Sequence, residues 1–179
     1  MKDQVLVTYA TKRGATAEIA EKIGEVLRQA GLPTDVLPTD RVHDVTAYKA
    51  VVLGSAVYIG RWRKQAAAFL EANEQALAER PVWLFSSGPT GEGDQQAFGD
   101  GRHLPDGLQR IADRIRPRDI AVFPGRVDPK DLNFLERWML KNVQAPVGDF
   151  RDWGAITSWA KAIADVLKEG RPASKRGSA

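Results

Sequence analysis

The chain has 179 residues, 43% of them hydrophobic, which is enough for one domain with a real core. None is cysteine, which excludes disulfides, thiol catalysis and cysteine-ligated zinc or iron–sulfur sites. The chain has two histidines, which are few for a metal site or for acid–base catalysis. The net charge of +3 lies entirely in the last ten residues, so the body is neutral and nucleic acid is disfavoured as a partner.

A short strand, a loop and a helix are predicted at the start of the chain. Val5-Leu6-Val7 is an apolar run, and an apolar stripe from Ile19 to Ala30 predicts a helix from about residue 15. Free backbone N–H groups and the positive end of the helix dipole meet in the loop between them, which is favourable for an anion. The alternative is an ordinary turn and helix cap. The candidate phosphate-binding residues are Thr11, Lys12, Arg13, Gly14, Ala15 and Thr16.

Two later strands are also predicted to end in unusual loops. Ala50–Gly54 is a continuous apolar run typical of a central parallel strand, and Val57, Tyr58, Ile59 and Gly60 follow in a loop over residues 55–62. An aromatic ring here, Tyr58 or Trp62, is suited either to stacking on a planar ligand or to packing against neighbouring helices.

The next predicted strand, Pro81–Ser86, leads into Ser87, Gly88, Pro89 and Thr90. This loop lacks the spacing of a dinucleotide or NTPase fingerprint, but its backbone can contact the edge of a polar heterocycle.

The second half of the chain contains an insertion. Helices are predicted over residues 63–78 and 104–116, a second strand over 34–37 and a fifth strand over 119–123. An apolar helical insertion follows at about 126–150, with its helix over residues 131–143, and it is interpreted as core, as a substrate wall or as a membrane-facing surface. The last helix is predicted to be capped by Asp152 and to stop at Gly170.

The alternation of strands and helices predicts an α/β three-layer sandwich. Its five-stranded parallel sheet has the order 2-1-3-4-5 with helices on both faces, in one domain over residues 1–169 that is followed by a flexible basic tail over 170–179. Ligands of such sheets bind at the carboxyl ends of the strands, where the three loops converge. A phosphate site beside a flat-ring site suggests FMN. Without a signal-peptide pattern or a long apolar run, we expect a cytoplasmic protein with no transmembrane segment.

These residues resemble the flavodoxin superfamily. Thr11–Thr16 is similar to its phosphate loop, usually Ser/Thr-x-Thr-Gly-x-Thr, with Arg13 and Ala15 as departures. Within that fold the chain resembles the bacterial menaquinone-dependent protoporphyrinogen IX dehydrogenases, and the likeness is carried by residues 54–62, by Asp152-Trp153 and by Phe134, Arg137, Trp138, Met139 and Lys141. The resemblance implies an FMN-dependent oxidoreductase that passes electrons from a protoporphyrinogen-like substrate to a quinone, with peripheral membrane contact as a further implication.

Other functions remain open at this point. An electron-carrier flavodoxin would transfer electrons to a redox partner protein and have no substrate of its own, although the neutral body differs from the acidic surface typical of such carriers. A phosphorylation-controlled receiver module needs carboxylates where the first and third strands end, and Thr8-Tyr9 and Gly54-Ser55 stand there instead. A scaffold without cofactor is the last alternative. No residue type and spacing identifies a catalytic acid or base, and no metal site is predicted.

Overall fold

A parallel sheet forms the centre of the protein, in a computed structural model that describes residues 3–58, 60–88, 104–143 and 147–170. Its strands are β1 (Val5–Ala10), β2 (Thr34–Pro38), β3 (Ala50–Tyr58), β5 (Val82–Gly88) and β6 (Asp119–Pro124), in the spatial order β2-β1-β3-β5-β6. All four pairings between these neighbours are parallel. The predicted sandwich and the order of its five strands are thus confirmed.

The sheet has six strands rather than the predicted five. The sixth, β4 (Arg61–Trp62), pairs antiparallel with the end of β3. The predicted loop over residues 55–62 was wrong in this respect, because β3 continues beyond Gly54 and turns back on itself as a hairpin.

Helices cover both faces of the sheet. On one face, α1 (Ala15–Gln29) and α6 (Trp153–Glu169) bury Ile19, Ile23 and Ile156 against alternate residues of β1 and β3. On the other face lie α2 (Lys64–Ala72), α3 (Glu74–Ala78) and α4 (Gln109–Ile115), which bury Leu70, Leu77 and Ile111. The helix predicted over residues 63–78 is split at Asn73, whose side-chain amide donates to the Phe69 carbonyl at 2.9 Å. Asp152 caps α6 as predicted, because its carboxylate accepts from the Ala155 N–H at 2.9 Å.

An aromatic cluster fixes α6 to strands β5 and β6 at one side of the sheet. Trp159 packs edge-on against Phe123 and Phe85, with ring centroids 5.5 and 6.0 Å apart, and its indole N–H donates to Asp119 at 2.7 Å. On β3, Gly54 admits the Phe85 ring, since a Cβ at residue 54 would lie 2.0 Å from it. Close packing therefore requires glycine on the strand that leads to the predicted ring loop.

The segment after β6 leaves the sheet and returns to it. β7 (Arg126–Val127) pairs antiparallel with β8 (Gly148–Asp149), and α5 (Phe134–Val143) lies between them. Where this segment ends, the nearly buried side chain of Arg151 forms ion pairs with Asp149 and with Glu18, which lies in the first turn of α1. The guanidinium holds the pKa of Asp149 down at about 2. The insertion is thus anchored beside the beginning of α1.

Candidate functional site

Three adjacent strands end at the edge where a ligand is expected. Ala10 pairs with Ser55, and Ala56 pairs with Ser87, so the segments that follow β1, β3 and β5 lie side by side. Among the predicted cofactor-binding residues, Ile59, Pro89 and Thr90 lie outside the described residues, as does the basic tail from Arg171 onwards. The others converge at this edge, as the order of the strands required.

The loop after β1 leads directly into the amino end of α1. Gly14 has a left-handed φ of 86° immediately before the helix, a conformation that glycine adopts without strain. Its N–H donates to the Thr11 hydroxyl at 3.0 Å, and its carbonyl accepts from Glu18 at 3.0 Å. Among the residues that the structure describes, no side chain caps the helix. The first N–H groups of α1, those of Ala15 and Thr16 included, have no acceptor within the helix and are available to an anion.

Thr16 carries a second indication of a ligand at this terminus. Its side chain is 1% exposed, and its hydroxyl oxygen has no hydrogen-bond partner among the described residues. A buried hydroxyl without a partner costs roughly 1–3 kcal/mol, so such a group calls for a specific explanation, and at a helix terminus a bound anion is one. An uncapped helix terminus with an unpartnered hydroxyl in its first turn fits a phosphate group.

The hairpin after β3 presents an aromatic ring at the same edge. Val57 pairs with Trp62 and Tyr58 pairs with Arg61, and Gly60 has a φ of 65° in the turn between them. Tyr58 is 39% exposed, whereas Trp62 is buried and donates its indole N–H to Ser86 at 2.8 Å. The packing interpretation is therefore correct for Trp62, and Tyr58 is the partly exposed aromatic side chain of this hairpin.

The end of β5 lies against this hairpin. Ser87 is buried, and Gly88 pairs with Pro124 at the last position of the strand. A Cβ at Gly88 would lie 3.1 Å from the Val57 carbonyl oxygen. The second and third predicted loops thus begin in direct backbone contact.

A carboxylate that the sequence analysis did not identify joins the first two loops. Glu136, on α5, is 7% exposed and accepts from the side chains of Lys12 and Arg13, and from the Tyr58 hydroxyl at 2.9 Å. These hydrogen bonds hold the pKa of Glu136 at about 2, with the one from Lys12 as the largest cause. The ammonium of Lys12 also lies 4.0 Å from the centroid of the Tyr58 ring, a cation–π contact.

A local sequence signal for Glu136 exists. The Asn133 side chain accepts from the Glu136 N–H at 2.8 Å, and the Glu136 carboxylate accepts from the Asn133 N–H at 3.0 Å. Asn-x-x-Glu before a helix is the pattern of a capping box, and it marks the start of α5. It gives no indication of the contact with Lys12 and Arg13.

The outer face of α5 is apolar and open to solvent. Phe134, Leu135 and Trp138 are 87%, 63% and 58% exposed, while Glu136 on the same helix faces the phosphate loop. The interpretation as core is therefore wrong for these three side chains. A substrate wall and a membrane-facing surface remain as predictions. Within the described ranges, no helix is both long enough and apolar enough to cross a membrane.

The strand order and the converging loops agree with comparisons to known proteins. A family model described as a flavodoxin domain matches residues 6–152. The chain belongs to the flavodoxin domain family. One relative of this flavodoxin-domain protein is the protoporphyrinogen IX dehydrogenase [quinone] of Escherichia coli K12, which is 20% identical over 174 residues, covering 91% of this chain and 96% of the relative.

Solved flavodoxins share the fold at low sequence identity. The flavodoxin of Streptococcus pneumoniae TIGR4 superposes with a TM-score of 0.59 at 16% identity, covering 94% of this chain and 99% of the other. A flavodoxin from the domain Archaea gives 0.58 at 14% identity, with coverages of 92% and 99%. These likenesses establish the architecture of the flavodoxin-domain protein.

Proposed function

We propose that this protein binds FMN and passes electrons from an organic, protoporphyrinogen-like substrate to a quinone or similar acceptor. The observation that carries the cofactor assignment is the uncapped start of α1 with the unpartnered Thr16 hydroxyl beside it. Membership of the flavodoxin domain family supports a flavin, and the name of the Escherichia coli relative supports the substrate and acceptor classes.

The phosphate would be held mainly by neutral donors. Backbone N–H groups from Thr11 to Thr16 and the hydroxyl of Thr16 are the candidates, and Gly14 keeps the loop free of a Cβ where the anion approaches. A hydrogen bond to a charged group contributes roughly 1.5–3 kcal/mol, so four or five donors suffice for tight binding. Lys12 and Arg13 add charge when they are not paired with Glu136.

The flat ring would lie between the other two loops. Tyr58 offers an aromatic face, and the backbone from Ser87 to Thr90 offers donors and acceptors for the edge of the ring. A bound flavin supplies hydride and single-electron chemistry, and the protein positions it and shields it from water. We assign no side chain as a catalytic acid or base.

The insertion would form the substrate wall. The exposed Phe134, Leu135 and Trp138 project from α5, and the insertion that carries this helix is anchored beside the start of α1 by the ion pairs of Arg151 with Asp149 and Glu18. An apolar surface of this kind suits a large planar substrate or a quinone, and it also suits contact with a membrane surface that contains the quinone.

An electron carrier is the second candidate, because solved flavodoxins match nearly the whole of this chain and are nearly fully covered by it. The visible spectrum of the purified protein after FMN addition and washing, followed by anaerobic reduction, separates the two. Retained flavin that is reduced directly to the two-electron form supports the enzyme, which porphyrinogen and quinone assays then test. A persistent one-electron form supports the carrier. Absence of retained flavin would overturn both.

A further inference from the structure

Three of the proposed cofactor-binding side chains are already bound to one carboxylate. Lys12, Arg13 and Tyr58 belong to two different loops, and all three donate to Glu136. Among the hydrogen bonds and ion pairs of the described residues, those that join α5 to these two loops all end on this one side chain. The hydrogen bonds and ion pairs between α5 and these two loops therefore depend on a single group, whereas the base of the insertion is held separately by the ion pair of Arg151 with Glu18.

We propose that Glu136 is an internal anion that closes the cofactor site and that the phosphate of FMN displaces it. This inference rests on the proposed function and deepens it: the ion pairs of Glu136 hold α5 against the cofactor site, and α5 is released from Lys12 and Arg13 when the cofactor binds.

The charges support displacement rather than a permanent clamp. The single negative charge of Glu136 pairs with both cations of the loop, Lys12 and Arg13, and so occupies the groups that would otherwise be free to pair with a phosphate. A carboxylate that stayed in this place would repel a phosphate dianion seated at the start of α1, and such repulsion is poorly screened where the side chain is buried. Exchanging the carboxylate for the phosphate keeps both cations paired.

The position of Lys12 supports the same conclusion for the ring. Its ammonium lies over the face of Tyr58, 4.0 Å from the centroid, and is held there by Glu136. That face is then not available for a flavin. Release of Glu136 frees Lys12 to turn toward the phosphate and exposes the ring, so one event would open both halves of the site.

Helix capping alone does not explain the arrangement. The capping box uses one carboxylate oxygen, which accepts from the Asn133 N–H at 3.0 Å. The other oxygen has no part in the cap, yet it accepts from Lys12 and Tyr58. Glutamine also serves at this capping position, so Glu136→Gln can keep the cap while it removes the charge and replaces the oxygen that accepts from Lys12 and Tyr58 with an NH2 group.

The test is a titration of the flavin-free protein with FMN and, separately, with riboflavin. Quenching of the flavin fluorescence measures binding in each titration. For Glu136→Gln we expect FMN to bind at least about 10-fold more tightly than to the wild type, because the closed form no longer competes. The gain for riboflavin, which lacks the phosphate, should be smaller. Glu25→Gln is the matched control: it changes the net charge equally at an exposed position on α1 that pairs with Lys22, and it should leave both affinities unchanged.

Equal or weaker FMN binding by Glu136→Gln would overturn the inference and make Glu136 a clamp, and so would an equal gain for both flavins. If neither protein binds FMN, the proposed function itself fails. Hydrogen exchange of the wild type gives a second measurement that does not depend on the variant's folding: FMN should accelerate exchange in residues 134–143, and slower or unchanged exchange there would contradict displacement.

Discussion

The buried hydroxyl of Thr16 allows cofactor binding and stability to be separated by one substitution. Thr16→Val keeps the shape of the side chain and removes an oxygen that has no partner among the described residues. The flavin-free protein should become more stable by about 1 kcal/mol, a shift of roughly 2–4 °C in Tm for a domain of this size, because a buried unsatisfied group is lost. The same change should weaken FMN binding about 10- to 100-fold, since it removes a hydrogen bond to a charged phosphate worth roughly 1.5–3 kcal/mol.

Thr8→Val is the matched control for this experiment. Thr8 is fully buried on β1, and its hydroxyl oxygen likewise has no partner, but it lies on the strand before the loop. This variant should gain similar stability and keep its FMN affinity. Urea unfolding measures the first quantity and fluorescence quenching the second. If Thr16→Val weakens FMN no more than Thr8→Val does, the phosphate is not held at the start of α1 and the reasoning is refuted.

Three further predictions concern the core, the insertion and acid stability. Gly54→Ala should destabilise the protein by roughly 2–4 kcal/mol in urea unfolding, because its Cβ would lie 2.0 Å from the Phe85 ring; a neutral result would mean that the ring shifts freely. Trp138→Ala should slow substrate turnover while the flavin content and Tm stay unchanged, since the side chain is 58% exposed, and a matching loss of stability would mean that it is core. The folded-state pKa of Glu136 is lowered to about 2 from an ordinary 4.5, so its contribution of roughly 3 kcal/mol is complete above pH 4.5 and disappears as the pH falls toward 2. Urea unfolding of the wild type and Glu136→Gln should differ above pH 4.5 and converge near pH 2, and a pH-independent difference would contradict the ion pairs.

The parallel core could be predicted because its signals are local. A continuous apolar run predicts strand β3. Stripes of apolar residues that end at Gly31 and Gly170 predict helices α1 and α6. Strand order then follows from the short, right-handed connections of such folds. The sequence did not predict the continuation of β3 to Tyr58, because residues 55–58 alone have no strand pattern. Ser55 and Ala56 belong to the strand through pairing with β1 and β5, and Val57 and Tyr58 through pairing with β4 across a turn.

The candidate site could be predicted only in part. The loop over Thr11–Thr16 and the aromatic Tyr58 are recognisable from residue types that suit phosphate and a planar ring. Glu136 is not, because its capping box indicates a helix start, whereas its ion pair with Lys12 spans 124 positions of sequence. The solvent exposure of the apolar face of α5 could not be predicted either. An apolar stripe in a sequence has the same pattern whether or not another part of the protein covers it.

The insertion begins and ends at one point. The Phe150 N–H donates to the Gly125 carbonyl at 3.1 Å, and Arg126 pairs with Asp149 directly beyond them. A change in the length of such a segment has little effect on the stability of the sheet, because doubling the length of a loop costs only about 0.6 kcal/mol in closure entropy. Evolution can therefore lengthen, shorten or replace this segment as an independent module. Because Glu136 lies within this segment, any replacement of the segment would also change the carboxylate that pairs with Lys12 and Arg13.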